Sequence, residues 1–157
     1  MKPTVIAFCG PSGSGKTTFL CDIIAELRAS QIKVGAVKHC HCAIAQNEQH
    51  KDSAKLRRAG ADPVFAIQRS NDLEALIEHH YAAHDLVLAE GFRSANLPSI
   101  LVYRQPIPDD WTLPKDIIHR LFLPPLPQPQ PITQALHVLY QHLPSICKRS
   151  EKPPRCG

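Results

Sequence analysis

Thr4-Val5-Ile6-Ala7-Phe8-Cys9-Gly10-Pro11-Ser12-Gly13-Ser14-Gly15-Lys16-Thr17 begins as a short, mostly apolar run and closes on a glycine-rich turn that ends in Lys-Thr. A run without polar alternation fits a strand buried on both faces, as in a parallel sheet. From Lys16 the period changes. Phe19, Leu20, Ile23, Ile24 and Leu27 recur at helical spacing, predicting a helix that ends near Ser30. Between strand and helix, Gly10 to Thr17 matches G-x-x-x-x-G-K-[ST] in full, in the strand–loop–helix context a phosphate-binding loop requires.

The chemistry follows from the residue types. Gly10, Gly13 and Gly15 let the backbone through Pro11, Ser12 and Ser14 curl so that successive N–H groups point at one anion. The helix N-terminus adds the positive end of its dipole. Lys16 is placed to reach β- and γ-phosphates, Thr17 to ligate Mg²⁺ through its hydroxyl, and Thr18 to continue the loop into the helix.

Outward from this loop, strands and helices alternate. Val34–Val37 reads as a second strand with Lys38 and His39 at its carboxyl end, and residues 40–51 read as a polar loop. Asp52-Ser53 looks like a helix start, with Gly60 as the stop. Val64–Ile67, Asp85–Ala89 and Ser99–Tyr103 are further strands, and Asn71-Asp72 opens a short helix with Leu73, Leu76 and Ile77 inward. This order predicts an α/β fold of the P-loop NTPase type, a mostly parallel sheet with helices on both faces. Ligands of such sheets bind at the carboxyl ends of the strands. Glu90 stands there, at the end of LVLAE, where a carboxylate can hold a metal's water shell or orient an attacking water. Asp52 is a second candidate acid, with helix capping as its plain structural alternative.

The remainder differs in character. Of 15 prolines, twelve lie at or after Pro98, and the tract Pro124–Pro131 is expected to be extended and stiff. Ile132, Leu136, Leu139 and Tyr140 then space as a helix. Residues 1–147 are read as one domain and 148–157 as a disordered tail. A hydrophobic fraction of 43% suits a globular chain, and a net charge of +4 suits a small anionic ligand without demanding nucleic acid. No run is long or apolar enough for a signal peptide or a membrane span, so a cytoplasmic protein is expected, its six cysteines reduced.

The blocks GPSGSGKTT, VKH (37–39), KDSAKLRRAGA (51–61) and LAEGFR (88–93) occur in this order. The chain thereby resembles the molybdopterin-guanine dinucleotide biosynthesis protein B family (MobB) over about residues 3–104. The resemblance implies a GTP-binding, usually dimeric P-loop protein with weak GTPase activity. It would assist the nucleotidyltransferase that joins GMP to molybdopterin. It implies phosphate and Mg²⁺ binding by Lys16 and Thr17, and metal-site acids at Asp52 and Glu90. Lys38, His39, Lys51, Arg57 and Arg93 match polar positions that contact phosphates of the nucleotide or of the pterin. Guanine itself enters only through the resemblance, because no N-K-x-D signature is present. Two departures stand out. The family's acidic positions between KH and KDS are Ala43, Ala45 and Asn47 here, with His50 at its glycine, and no aspartate occurs in Arg120–Leu126, where the family carries one.

Two other classes remain open. A small-molecule kinase would use the same loop, with Arg57, Arg58 and Arg69 as candidate lid arginines. A metal carrier would use His39-Cys40-His41-Cys42, but structural zinc sites pair cysteines two to four apart and use two pairs, so this cluster is half a site unless Cys147 and Cys156 or a second chain complete it. His79, His80 and His84 read as solvated surface.

Overall fold

A computed structural model of the chain describes residues 2–40, 46–126 and 128–144. Its centre is a six-stranded parallel sheet of β1 (Thr4–Cys9), β2 (Val34–His39), β3 (Val64–Ile67), β4 (Leu86–Glu90), β5 (Pro98–Tyr103) and β6 (Asp116–Phe122), in spatial order β3-β2-β4-β1-β5-β6. The helices are α1 (Lys16–Ala29), α2 (Gln46–Ala59), α3 (Leu73–His80) and α4 (Pro129–His142). The predicted P-loop NTPase-type fold is the one observed.

Alternation along β1 builds two apolar layers. Ile6 and Phe8 face a core with Leu20, Ile24 and Leu27 of α1, Leu56 of α2 and Leu139 of α4. Ala7 and Cys9 face the opposite layer with Leu73 and Ile77 of α3, Tyr81 and Phe92. In that second layer the fully buried Tyr81 ring packs against Gly35, where a Cβ would sit 2.1 Å from its Cε1. Its hydroxyl donates to the carbonyls of Ala36 (2.7 Å) and Pro63 (3.2 Å). At the amino ends of the strands, the Thr4 hydroxyl donates to the carbonyl of His142 at 3.3 Å, tying the start of β1 to the end of α4.

Four expectations need correction. The region 40–51 is not loop throughout, because α2 begins at Gln46. Asp52 therefore lies in the second turn of the helix and does not cap it. The proline tract is not extended to Pro131, since Pro129 to Pro131 form the first turn of α4, where a missing N–H costs nothing. His84 is half-buried and donates through Nε2 to the carbonyl of Asp62 at 2.6 Å, whereas His79 and His80 are exposed. His41, Cys42, Cys147, Cys156 and the tail 148–157 lie outside the described residues, and with them most of the histidine–cysteine cluster.

Candidate functional site

The loop Gly10–Gly15 joins β1 to α1 at the middle of the sheet's carboxyl edge. Gly13 (φ 77°) and Gly15 (φ 80°) take the left-handed conformation. At Gly10 the limit is space: a Cβ there would lie 2.0 Å from the carbonyl oxygen of Val102 on β5. Gly15 has no side chain to cap α1, so the first N–H groups of the helix are open to an anion.

Around this loop is a cavity of about 560 Å³. Lys16 projects into it, its ammonium donating to the loop carbonyls of Gly10 (2.6 Å) and Pro11 (3.3 Å). Burial lowers the Lys16 pKa, and the negative charge of Glu90 opposes that shift. A charged group held against desolvation by a few carbonyls is one that an incoming polyanion stabilises further.

The acids come from the other side. Parallel register pairs Glu90 of β4 with Phe8 of β1 and with Lys38 of β2. The Thr17 hydroxyl donates to Glu90 Oε1 at 2.7 Å, and Lys38 Nζ stands 3.7 Å from the same oxygen. Lys38 also forms a close ion pair with Asp52 of α2. Lys55, one turn on, lies 3.9 Å from Asp52 Oδ1. Glu90 is buried, and its Oε2 has no hydrogen-bond partner among the described residues. Two carboxylates, one of them with an orphaned oxygen, and a threonine hydroxyl make an all-oxygen donor set. Such a set suits Mg²⁺, which keeps several waters and takes one or two carboxylates beside phosphate oxygens.

Past β4 the backbone turns through Gly91 (φ 90°) and Phe92 (φ 61°), which sets the Phe92 ring against His39 with centroids 4.9 Å apart. The Cys9 thiol donates to the Gly91 carbonyl at 3.0 Å, and burial pushes its pKa up to about 11. Arg93 lies over the ring of Trp111, 4.7 Å from its centroid, at the lip of the cavity.

Of the residues singled out from sequence, Gly10, Ser12 to Thr18, Lys38, His39, Asp52, Glu90 and Arg93 all line this cavity. Pro11 sits behind the wall, as acceptor for the amide of Ser14 and for Lys16. The structure does not bring Lys51 and Arg57 to the cavity. Lys51 is exposed, and Arg57 Nη2 donates to the carbonyl of Val64 at 3.0 Å. Lys55, Phe92 and Trp111 were not anticipated. Lys55 follows Asp52 at the i+3 spacing, a signal available once α2 is known to be helical there. Nothing around Trp111 has a period that points to the site.

A family model described as "Molybdopterin guanine dinucleotide synthesis protein B" matches residues 5–119. The chain belongs to this family. The blocks 10–18, 37–39, 51–61 and 88–93 that carry the resemblance all fall inside the matched span. The molybdopterin-guanine dinucleotide biosynthesis adapter protein of Haemophilus influenzae is 33% identical over 121 residues, covering 67% of this chain and 68% of that one. The Escherichia coli adapter protein of the same name is 32% identical over 114 residues, covering 64% and 65%. The matches thus span about two-thirds of these relatives' lengths. The crystal structure of Bacillus subtilis MobB superposes with a TM-score of 0.54 at 18% identity, covering 86% of this chain and 97% of that one, a likeness of fold. Within the family match lie β1 to β5 and the cavity, while α4 lies beyond it.

Proposed function

We propose that the chain binds GTP with Mg²⁺ in the cavity at the carboxyl ends of β1, β2 and β4. It would act there as a cytoplasmic, homodimeric adapter in forming the guanine dinucleotide form of the molybdenum cofactor. Its partner would be the nucleotidyltransferase that joins GMP to molybdopterin. The observation that carries the nucleotide reading is the meeting of Thr17 and Lys38 on Glu90, with Asp52 behind Lys38 and Lys16 projecting into the same cavity, around a loop whose amides are open to an anion. The adapter role is supported by family membership and by the names of the curated relatives.

Each residue has a defined task in this reading. Lys16 exchanges its loop carbonyls for β- and γ-phosphate oxygens. The Thr17 hydroxyl, Glu90 and Asp52 are the groups that would hold the metal. Mg²⁺, when bound, neutralises charge on the phosphates. Lys38 keeps the two acids from repelling one another until that charge arrives.

A slow, partner-dependent turnover fits better than fast phosphoryl transfer by the chain alone. Transfer needs an oriented nucleophile and added positive charge at the transition state. Arg57 is committed to Val64, Arg69 stands 4.0 Å from Asp72 at the exposed start of α3, and neither lines the cavity. The test is GTP affinity and turnover with Lys16→Ala, alone and with the transferase. Loss of nearly all triphosphate affinity in a folded variant is expected. Undiminished affinity would remove the phosphate-site assignment, and rapid turnover by the isolated wild type with one phosphorylated acceptor would favour a kinase.

A further inference from the structure

Two lysines line the cavity, one from the start of α1 and one from the end of β2, and their ammonium groups are held differently. That of Lys16 donates to the loop carbonyls of Gly10 and Pro11. That of Lys38 sits among the acids, in its close ion pair with Asp52 and 3.7 Å from Glu90 Oε1. We propose that Lys38 is an internal stand-in for the divalent cation and a sensor of the terminal phosphate. The cation enters only together with a triphosphate, whose last phosphate takes over the displaced ammonium. The proposal rests on the nucleotide reading above.

Lys38 and the cation claim the same oxygens. Asp52 Oδ2 takes the ion pair, Glu90 Oε1 faces the ammonium, and the Thr17 hydroxyl is turned to that same Oε1. Of the Glu90 oxygens, Oε2 is the one without a hydrogen-bond partner among the described residues. A doubly charged ion drawn to it would crowd the ammonium in a place with little water, since the side chains of Lys38 and Glu90 are 13% and 8% exposed. Like charges so poorly screened repel strongly. Lys16 is no equivalent stand-in, because its ammonium is held by carbonyls and not by the acids. Lys55 lies 3.9 Å from Asp52 Oδ1 with its side chain 55% exposed, so it screens that acid from outside.

The charges make the exchange conditional. Without nucleotide, one ammonium already balances the buried carboxylate, and a cation gains little by replacing it. Among the described residues the ion pairs of Lys38 are with Asp52 and Glu90 alone. Driving it off both acids would leave a buried ammonium unpaired, which is a costly state. A nucleotide supplies the missing anion. Its terminal phosphates belong on the β4 and β2 side of β1, because Thr17 hydrogen-bonds toward Glu90 and Glu90 pairs in register with Lys38. A triphosphate therefore brings negative charge for the cation and for Lys38 at once. A diphosphate offers the cation ligands but ends short of Lys38, which stays on the acids and opposes the cation. The same lysine that seals the site when it is empty thus makes the loaded site prefer the triphosphate.

The experiment has two readouts, run on wild type and Lys38→Met with thermal melting to verify folding. The first is a Mn²⁺ titration of the nucleotide-free protein, followed by electron paramagnetic resonance. Lys38→Met should hold Mn²⁺ about tenfold or more tighter than wild type, and Lys38→Met/Glu90→Gln should lose that gain. A lysine with a merely structural role would not strengthen metal binding when removed. The second is the preference for GTP over GDP at saturating Mg²⁺, by titration calorimetry, which should fall about tenfold in Lys38→Met. Equal Mn²⁺ affinity in wild type and folded Lys38→Met would overturn the stand-in, and an unchanged GTP-to-GDP ratio would overturn the sensor. Wild type alone also decides: Mn²⁺ held as tightly without nucleotide as with GTP, at a site lost in Glu90→Gln, would overturn the exchange whether or not Lys38→Met folds. A wild type that binds neither GTP nor inorganic tripolyphosphate with Mg²⁺ would instead overturn the underlying nucleotide reading.

Discussion

Lys38 is the lynchpin of the buried charges, and replacing it by methionine isolates its contribution. The aliphatic stem and its packing survive in Lys38→Met, and only the ammonium goes. At 3.7 Å from Glu90 Oε1, its gross attraction is about 4.5 kcal/mol at an effective dielectric constant of ~20. Desolvation of both ions offsets much of this in the wild type. The variant has no such offset, because Glu90 stays buried with the Thr17 hydroxyl as its donor and Oε2 already unpaired among the described residues. Removing one partner of a buried pair typically costs about 3–5 kcal/mol. The Asp52 side chain is 28% exposed and keeps Lys55 at 3.9 Å, so the lower end, about 3 kcal/mol, is expected. For a chain of this size that is a fall in Tm of roughly 6–12 °C, measured by calorimetry without nucleotide or divalent cation. The double variant Lys38→Met/Glu90→Gln removes both charges, keeps an acceptor for Thr17, and should recover more than half of the loss. A single variant as stable as wild type would refute the reasoning. So would losses that simply add in the double variant, since the charge of Glu90 would then not depend on Lys38.

Three other perturbations test separate features. Gly10→Ala pushes a methyl group against the Val102 carbonyl, so both stability and triphosphate affinity should fall; a variant with wild-type Tm would mean the loop has more room than its 2.0 Å approach allows. Cys9 keeps its proton in the folded state to about pH 11 but ionises near pH 9 when unfolded, so its contribution is fully present below pH 9 and is lost as pH rises from there to about 11. A urea-midpoint profile over that range should be flatter for Cys9→Ala than for wild type, and parallel profiles would contradict the burial of the thiol. Tyr81→Phe takes the hydroxyl from the Ala36 carbonyl and leaves the Pro63 carbonyl with the Ala36 amide alone, and should cost about 1–3 kcal/mol in denaturant unfolding, so a neutral result would show that water replaces the hydroxyl.

Much of the sheet was legible because its central strands are buried on both faces. The TVIAFC and LVLAE runs have no polar alternation to confuse them. The sixth strand, DIIHRLF, was not read as one. It is an edge strand with Asp116, Arg120 and Phe122 exposed, set between proline-rich segments. The first turn of α2 is QNEQH, too polar to show a period, so Asp52 looked like a cap when it is a helix-interior acid held by Lys38. At the site, the phosphate loop is contiguous and its residue types state their purpose. The neighbours that reach it from afar do not. Lys55 needed the true start of α2, Trp111 arrives on an irregular segment, and Arg57, eligible by residue type, is turned away by the carbonyl of Val64.

The contact between Thr4 and His142 puts the start of β1 and the end of α4 at one pole, and the phosphate loop occupies the other. A linker of a few residues between these positions would close the backbone into a ring without crossing the nucleotide face. New ends could then be opened in a surface connection such as the one between β5 and β6. The same geometry makes either end a suitable tether. A protein immobilised there presents its mouth outward, and tension applied between the two attachments loads α4 against the start of β1 before it reaches the strands that frame the cavity.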